Sequence, residues 1–98
     1  MVLEIAQLSI VRGREEEFEQ AFARARLLVN DAPGFLGLEL QRCIEEPARY
    51  VLLARWRAVE DHTERFRASE EYQRWRELLH PFFDGPPSVA HYTAVGDT

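Results

Sequence analysis

Two segments of this 98-residue chain are apolar on both of their faces, which a β-strand tolerates only when something covers it on each side. From Val2 to Val11, Leu3, Ile5 and Val11 fall on one parity and Ala6, Leu8 and Ile10 on the other. Tyr50 to Trp56 again carries apolar groups on both parities. A chain of this length buries only about two thirds of the surface it exposes when unfolded, so residues 1–98 are expected to form a single domain around one core.

The segments between and around these strands say what one cover is. After Gly13 the period becomes helical: Phe18, Phe22, Ala25 and Val29 share a stripe, the acidic first turn Glu15–Glu17 suits the positive end of the helix dipole, and Asp31-Ala32-Pro33-Gly34 ends the helix. Phe35 to Ile44 alternates, with Leu36, Leu38, Leu40 and Ile44 opposed to Glu39, Gln41 and Cys43. Glu45-Glu46-Pro47-Ala48 turns that strand into a hairpin with Tyr50–Trp56. Val59, His62 and Phe66 mark a short helix broken at Ala68-Ser69, and Tyr72, Trp75 and Leu79 mark another, ended by Pro81. Asp84-Gly85-Pro86-Pro87 leads into a last strand, Ser88 to Val95, with Gly96 to Thr98 expected to fray.

The order β-α-β-β-α-α-β is that of an α+β, ferredoxin-like protomer with a four-stranded antiparallel sheet. Right-handed crossovers place all its helices on one face. The other face still presents apolar groups from the first and third strands, and a second copy of the sheet is the economical cover, so a homodimer joined through sheet faces is expected.

Charge and composition exclude several function classes. The net charge is −5, and the 12 basic residues, all arginine, are scattered among acids, leaving no basic stripe for nucleic acid. No apolar run reaches the roughly 18 to 20 residues of a membrane span, and the start lacks a basic leader, so a cytoplasmic protein with no membrane partner is expected. The lone Cys43 suits a reducing compartment and reads as a quiet strand thiol. His62, His80 and His91 are too far apart for paired ligation on one element, and neither Cys-x-x-Cys nor His-Glu-x-x-His occurs, so no metal site is expected.

Aromatic and switchable polar residues concentrate in the second half: Trp56, His62, Phe66, Arg67, Tyr72, Trp75, Arg76, His80, Phe82, Phe83, His91 and Tyr92. A small domain needs large side chains between helices and sheet, so the aromatics are either packing or the walls of a pocket, and the arginines either surface charges or ligands. His62 lies on the apolar stripe between Val59 and Phe66 and should point inward, where it either moves a proton near neutral pH or bonds a backbone carbonyl. His91 faces either that space or the dimer seam; parity alone does not choose.

Pro33-Gly34-Phe35, Tyr50-Val51-Leu52 leading to Trp56, the run His62-Thr63-x-x-Phe66-Arg67-x-Ser69-x-x-Tyr72-x-x-Trp75-Arg76, then Pro81-Phe82-Phe83 and Val89-x-His91-Tyr92 resemble the antibiotic biosynthesis monooxygenase domain family of dimeric α+β barrels. The resemblance covers nearly the whole chain. It implies a pocket between sheet and helices that takes a small aromatic or quinone-like substrate of polyketide type and oxygenates it with dioxygen, without a cofactor. Such a step needs a proton acceptor, donors for an oxyanion and an apolar box. His62 or His91 is the expected acceptor, with Arg67 or Arg76 as anion holder. Trp56, Phe66, Tyr72, Trp75, Phe82 and Phe83 are the expected walls. Haem-degrading members carry an Asn on the first strand and a Trp and a His on later helices; Ala6, Phe66 and Arg76 stand at the corresponding places here, so haem degradation is not expected. The alternatives are a non-catalytic dimeric module binding a small hydrophobic molecule, or an isomerase or lyase on the same fold.

Overall fold

The structure, a computed structural model, describes residues 1–96; Asp97 and Thr98, and with them most of the expected tail, lie outside the described residues. Strand β1 spans Val2–Ser9, helix α1 Glu15–Ala25 with a 3-10 turn at Arg26–Leu28, and strands β2 and β3 are Phe35–Arg42 and Arg49–Trp56. A turn of π-helix at Asp61–Phe66, helix α2 at Glu70–Leu79, a 3-10 turn at His80–Phe82 and strand β4 at Ser88–Tyr92 complete the chain. The sheet is antiparallel, in the order β2-β3-β1-β4, and the fold is α+β and ferredoxin-like.

The parity argument sorts the two faces. Ala6 and Leu8 of β1 and Tyr50 and Leu52 of β3 join Phe18, Ala21, Phe22 and Ala25 of α1 in one buried cluster. A second cluster joins Val29, Ala54, Trp56 and Phe66. The helical stripe Phe18, Phe22, Ala25 and Val29 is therefore buried throughout. On the opposite face Leu3, Ile5, Val51 and Leu53 are partly exposed, with Ile5 directly across from Leu53.

Three sequence expectations are corrected. Leu36 does not share a face with Leu38 and Leu40, because a β-bulge lies between Phe35, opposite Trp56, and Gly37, opposite Arg55; the surplus residue is turned outward. Ile44 lies beyond β2 and is almost wholly exposed, and Cys43 sits in the turn, where its Sγ accepts the Glu46 N–H. The outer strands are shorter than their apolar runs: Val11 gives its N–H to Phe82 rather than to a strand, and β4 stops before Val95.

One close approach fixes where the site's turn sits. Gly34, just before β2, has φ +78° and accepts the Arg57 N–H at 2.7 Å, while the Asp61 carboxylate occupies the place a Cβ on Gly34 would take. Asp61 Oδ2 in turn accepts the Ala58 N–H at 3.2 Å, and Oδ1 the Arg65 guanidinium at 3.2 Å. The loop after β3 is thus tied to the entrance of β2 immediately before His62.

Candidate functional site

The π-turn is defined by a five-residue hydrogen bond, the Arg67 N–H donating to the His62 carbonyl at 3.2 Å. This wider winding sets Phe66 and Arg67 both about one turn beyond His62, and such turns recur at functional sites. Ser69 then closes it and starts α2: its hydroxyl donates to the Phe66 carbonyl at 2.6 Å and accepts the Tyr72 N–H at 3.1 Å. With the helix begun there, Tyr72, Trp75 and Leu79 recur at helical spacing and meet the sheet.

Trp56, at the end of β3, is almost fully buried and organises the rings around it. Its indole stacks on the His62 imidazole with centroids 5.2 Å apart, lies 5.8 Å from Phe66 and meets Phe35 edge-on at 5.4 Å. Its Nε1–H donates to Glu4 Oε1 at 2.9 Å. The same carboxylate oxygen lies 3.4 Å from His62 Nε2, and His62 Nδ1 is 2.8 Å from His91 Nε2. Sheet register explains the convergence, since Glu4 of β1 is paired with Ala54 of β3 on one side and His91 of β4 on the other.

Burial dominates the electrostatics. It raises the Glu4 carboxyl above its ordinary value, against the lowering effects of the Trp56 hydrogen bond and the Arg67 charge. It pushes His62 down to about 4, with Arg67 and His91 adding to the shift, and it lowers His91 too, again helped by Arg67. The 3.4 Å approach is therefore a contact between a neutral imidazole and a carboxyl whose charged form is disfavoured, not a formed ion pair.

A pH dependence follows for His62. An unfolded chain protonates this ring near 6.5 and the folded one near 4, so the unfolded state binds the extra proton between those values. The stabilisation is complete above pH 6.5 and is lost as the pH falls toward 4, a difference of about 3 kcal/mol over the whole window. Glu4 acts in the opposite sense, its contribution fading as pH rises through its elevated value, so the quantity to compare is wild type against His62→Gln. Urea titrations at pH 7 and pH 4 should show wild type losing more stability than the variant. Parallel losses would mean that His62 is not held neutral.

Between sheet and helices lies a cavity of about 80 Å³. Trp56, Phe66, Tyr72, Trp75 and Phe83 supply its aromatic wall, Glu4 and His62 its buried polar lining, and the exposed Arg67 and His80 also border it. His62 thus points inward but bonds a second histidine and approaches a carboxylate instead of meeting a backbone carbonyl. His91 touches His62 without lining the cavity. Phe82 packs on Phe18, with the Arg14 guanidinium 4.5 Å above its ring, and Arg76 lies outside over Tyr72; neither borders the cavity. Sequence reasoning missed Glu4. The available signal was parity, since Glu4 is the charged member of the row that continues through Ala6, Leu8 and Ile10 into the core. Among the described residues no group of three His, Cys, Asp or Glu side chains is placed to hold a metal ion, and no helix is long and apolar enough to cross a membrane.

Comparison with known proteins agrees with this arrangement. Uncharacterized protein YczJ of Bacillus subtilis is 45% identical over 95 residues, covering 97% of this chain and all of that protein. A heme oxygenase (mycobilin-producing) of Mycobacterium tuberculosis is 28% identical over 90 residues, 92% of this chain and 70% of the relative. A crystal structure from Bordetella bronchiseptica, assigned to the antibiotic biosynthesis monooxygenases, superposes with a TM-score of 0.93 at 41% identity and 96% coverage of both chains. SnoaB, a cofactor-independent oxygenase from Streptomyces nogalater, shares the fold at a TM-score of 0.83 and 22% identity, covering 97% of this chain and 93% of its own. The sequence profile of the antibiotic biosynthesis monooxygenases matches residues 1–78, and with these likenesses it shows that the chain belongs to that family.

Proposed function

We propose that this protein is a cofactor-independent oxygenase of small hydroquinone-like aromatics, working as a homodimer. The observation that carries the reading is the pairing of two buried polar groups, Glu4 and His62, within an otherwise aromatic cavity bordered by the Arg67 guanidinium. A carboxyl or imidazole there can take a phenolic proton, Arg67 can hold the oxyanion, and the rings keep water from the activated substrate. For hydroquinone itself, each molecule consumes a molecule of dioxygen and yields a hydroxyquinone and a molecule of water. One oxygen atom enters a ring C–H bond as the new hydroxyl, and the other leaves as water with the two phenolic hydrogens. The substrate supplies every electron, so no outside reductant is needed.

The cavity narrows the substrate. Benzene fills an engineered cavity of roughly 150 Å³, so about 80 Å³ takes part of one ring, the rest standing in the mouth by Arg67 and His80. A single-ring hydroquinone suits this better than a polycyclic anthrone. Haem is not proposed as substrate: a porphyrin exceeds the space several-fold, and both ring nitrogens of His62 are engaged. Support for the homodimer comes from Leu3, Ile5, Val51 and Leu53, an apolar group on the face the helices leave open. Sedimentation as a monomer at micromolar concentration would remove that part of the reading.

Oxygen uptake by metal-stripped protein supplied with simple hydroquinones is the direct test. Turnover should fall on the order of 100-fold in His62→Ala. Equal uptake by both proteins would take His62 out of the chemistry. The small cavity volume favours one other reading, a module that binds a small apolar molecule without converting it; saturable binding of hydroquinone with no oxygen consumption would establish that instead.

A further inference from the structure

We propose that Glu4, His62 and His91 form a proton relay, in which the Glu4 carboxyl meets the substrate inside the cavity and His91 delivers the proton to solvent. The inference rests on the oxygenase reading above and assigns catalytic work to Glu4, a β1 residue that the sequence did not single out.

Placement separates the three groups by role. Glu4 and His62 border the cavity, whereas His91 does not and is partly exposed on the edge strand β4. The contacts of 3.4 Å from Glu4 Oε1 to His62 Nε2 and 2.8 Å from His62 Nδ1 to His91 Nε2 make one unbroken path from the inside to the edge. Trp56 pins Oε1 from the other side. Among the described residues Glu4 Oε2 has no protein hydrogen bond, yet no buried side-chain oxygen or nitrogen lacks a partner, so Oε2 must be reachable from open space, which for Glu4 is the cavity it lines. Packing alone gives no reason for an acid here, because a buried carboxyl destabilises a strand that an aliphatic residue would suit.

In the first step the substrate O–H bond breaks, its proton joins the Glu4 carboxylate, and the electron pair remains on the substrate oxygen facing Arg67. The carboxyl then passes a proton to His62 Nε2 as the Nδ1 proton moves to His91 Nε2 and one leaves the far side of His91 to water. One proton has moved from substrate to solvent, and the negative charge has stayed on the oxyanion. When the peroxide formed with dioxygen breaks down to water, a proton returns along the same path and restores both tautomers. Burial makes Glu4 a stronger base than an ordinary carboxylate, in keeping with that role. The charged and titratable groups acting on the path are Arg67 after the π-turn and the three members themselves, from β1, the π-turn and β4, while His80 borders the same cavity.

The test compares wild type, Glu4→Gln and His91→Gln by hydroquinone-dependent oxygen uptake across pH, alongside NMR titration of the Glu4 carboxyl and the imidazole rings. Glu4→Gln keeps an oxygen to accept the Trp56 N–H, and its turnover should fall on the order of 100-fold or more with a much smaller change in KM. His91→Gln should lose less, shift the pH profile and recover part of its rate when imidazole is added. Both variants turning over like wild type would overturn the relay while leaving the oxygenase reading intact. If wild type consumes no oxygen, that reading fails and NMR decides the relay: the Glu4 carboxyl should titrate above its ordinary range and move on His91→Gln. An ordinary titration, indifferent to His91, would overturn it.

Discussion

Replacing Trp56 by Ala should cost about 4 to 6 kcal/mol in a urea or thermal unfolding experiment, a large fraction of what holds a domain of this size together. Most of the loss is packing: the indole is among the largest fully buried side chains and fills the space between Phe35, His62 and Phe66, which no neighbour can reach by a rotamer change alone. The remainder comes from Glu4, whose Oε1 would lose its best donor while staying buried. Trp56→Phe separates the two contributions. It keeps a ring in the cluster and removes only the donor, and about 1 to 3 kcal/mol is expected. A loss below about 1 kcal/mol in Trp56→Ala would mean that the cluster repacks freely and that the indole does not position His62.

Gly34→Ala should be nearly as damaging, at about 2 to 5 kcal/mol. Two costs combine: an L-residue at φ +78° is strained by its own backbone, and the new methyl would overlap the Asp61 carboxylate. Asp61 cannot simply turn away, since its oxygens hold the Ala58 N–H and the Arg65 guanidinium. A double-mutant cycle with Asp61→Ala distinguishes the costs. The overlap should appear as a coupling of about 1 to 3 kcal/mol, and the backbone strain should persist in the double variant. No coupling would show that the loop before His62 is free to move away from Gly34.

The elements of the fold were legible because burial here follows local periodicity. Phe18, Phe22, Ala25 and Val29 advance at helical spacing, and every one is in the core. Where the chain departs from a regular period, the same reasoning misplaced residues. The bulge at Leu36 shifts phase by one residue, and nothing in an alternating row of leucines announces it. The candidate site was half readable. His62 stands on an apolar stripe and so declares its direction, whereas Glu4 sits among aliphatic residues that absorb attention and His91 is defined only by its register against β1. Phe82 and Arg76 look like site residues by composition. A 3-10 turn aims the first at Phe18, and the outer side of α2 carries the second.

The π-turn between β3 and α2 has a consequence for how this segment tolerates changes in length. Its winding holds one residue more than an α-helical turn would, so loss of a single exposed position such as Glu64 would let the backbone relax into ordinary α geometry. Everything downstream would then rotate by roughly 100° about the helix axis, carrying Phe66 and Arg67 off the chamber and separating them from His62. The angular phase of the chemistry is stored in a one-residue surplus, so a point deletion here is a rotation rather than a shortening.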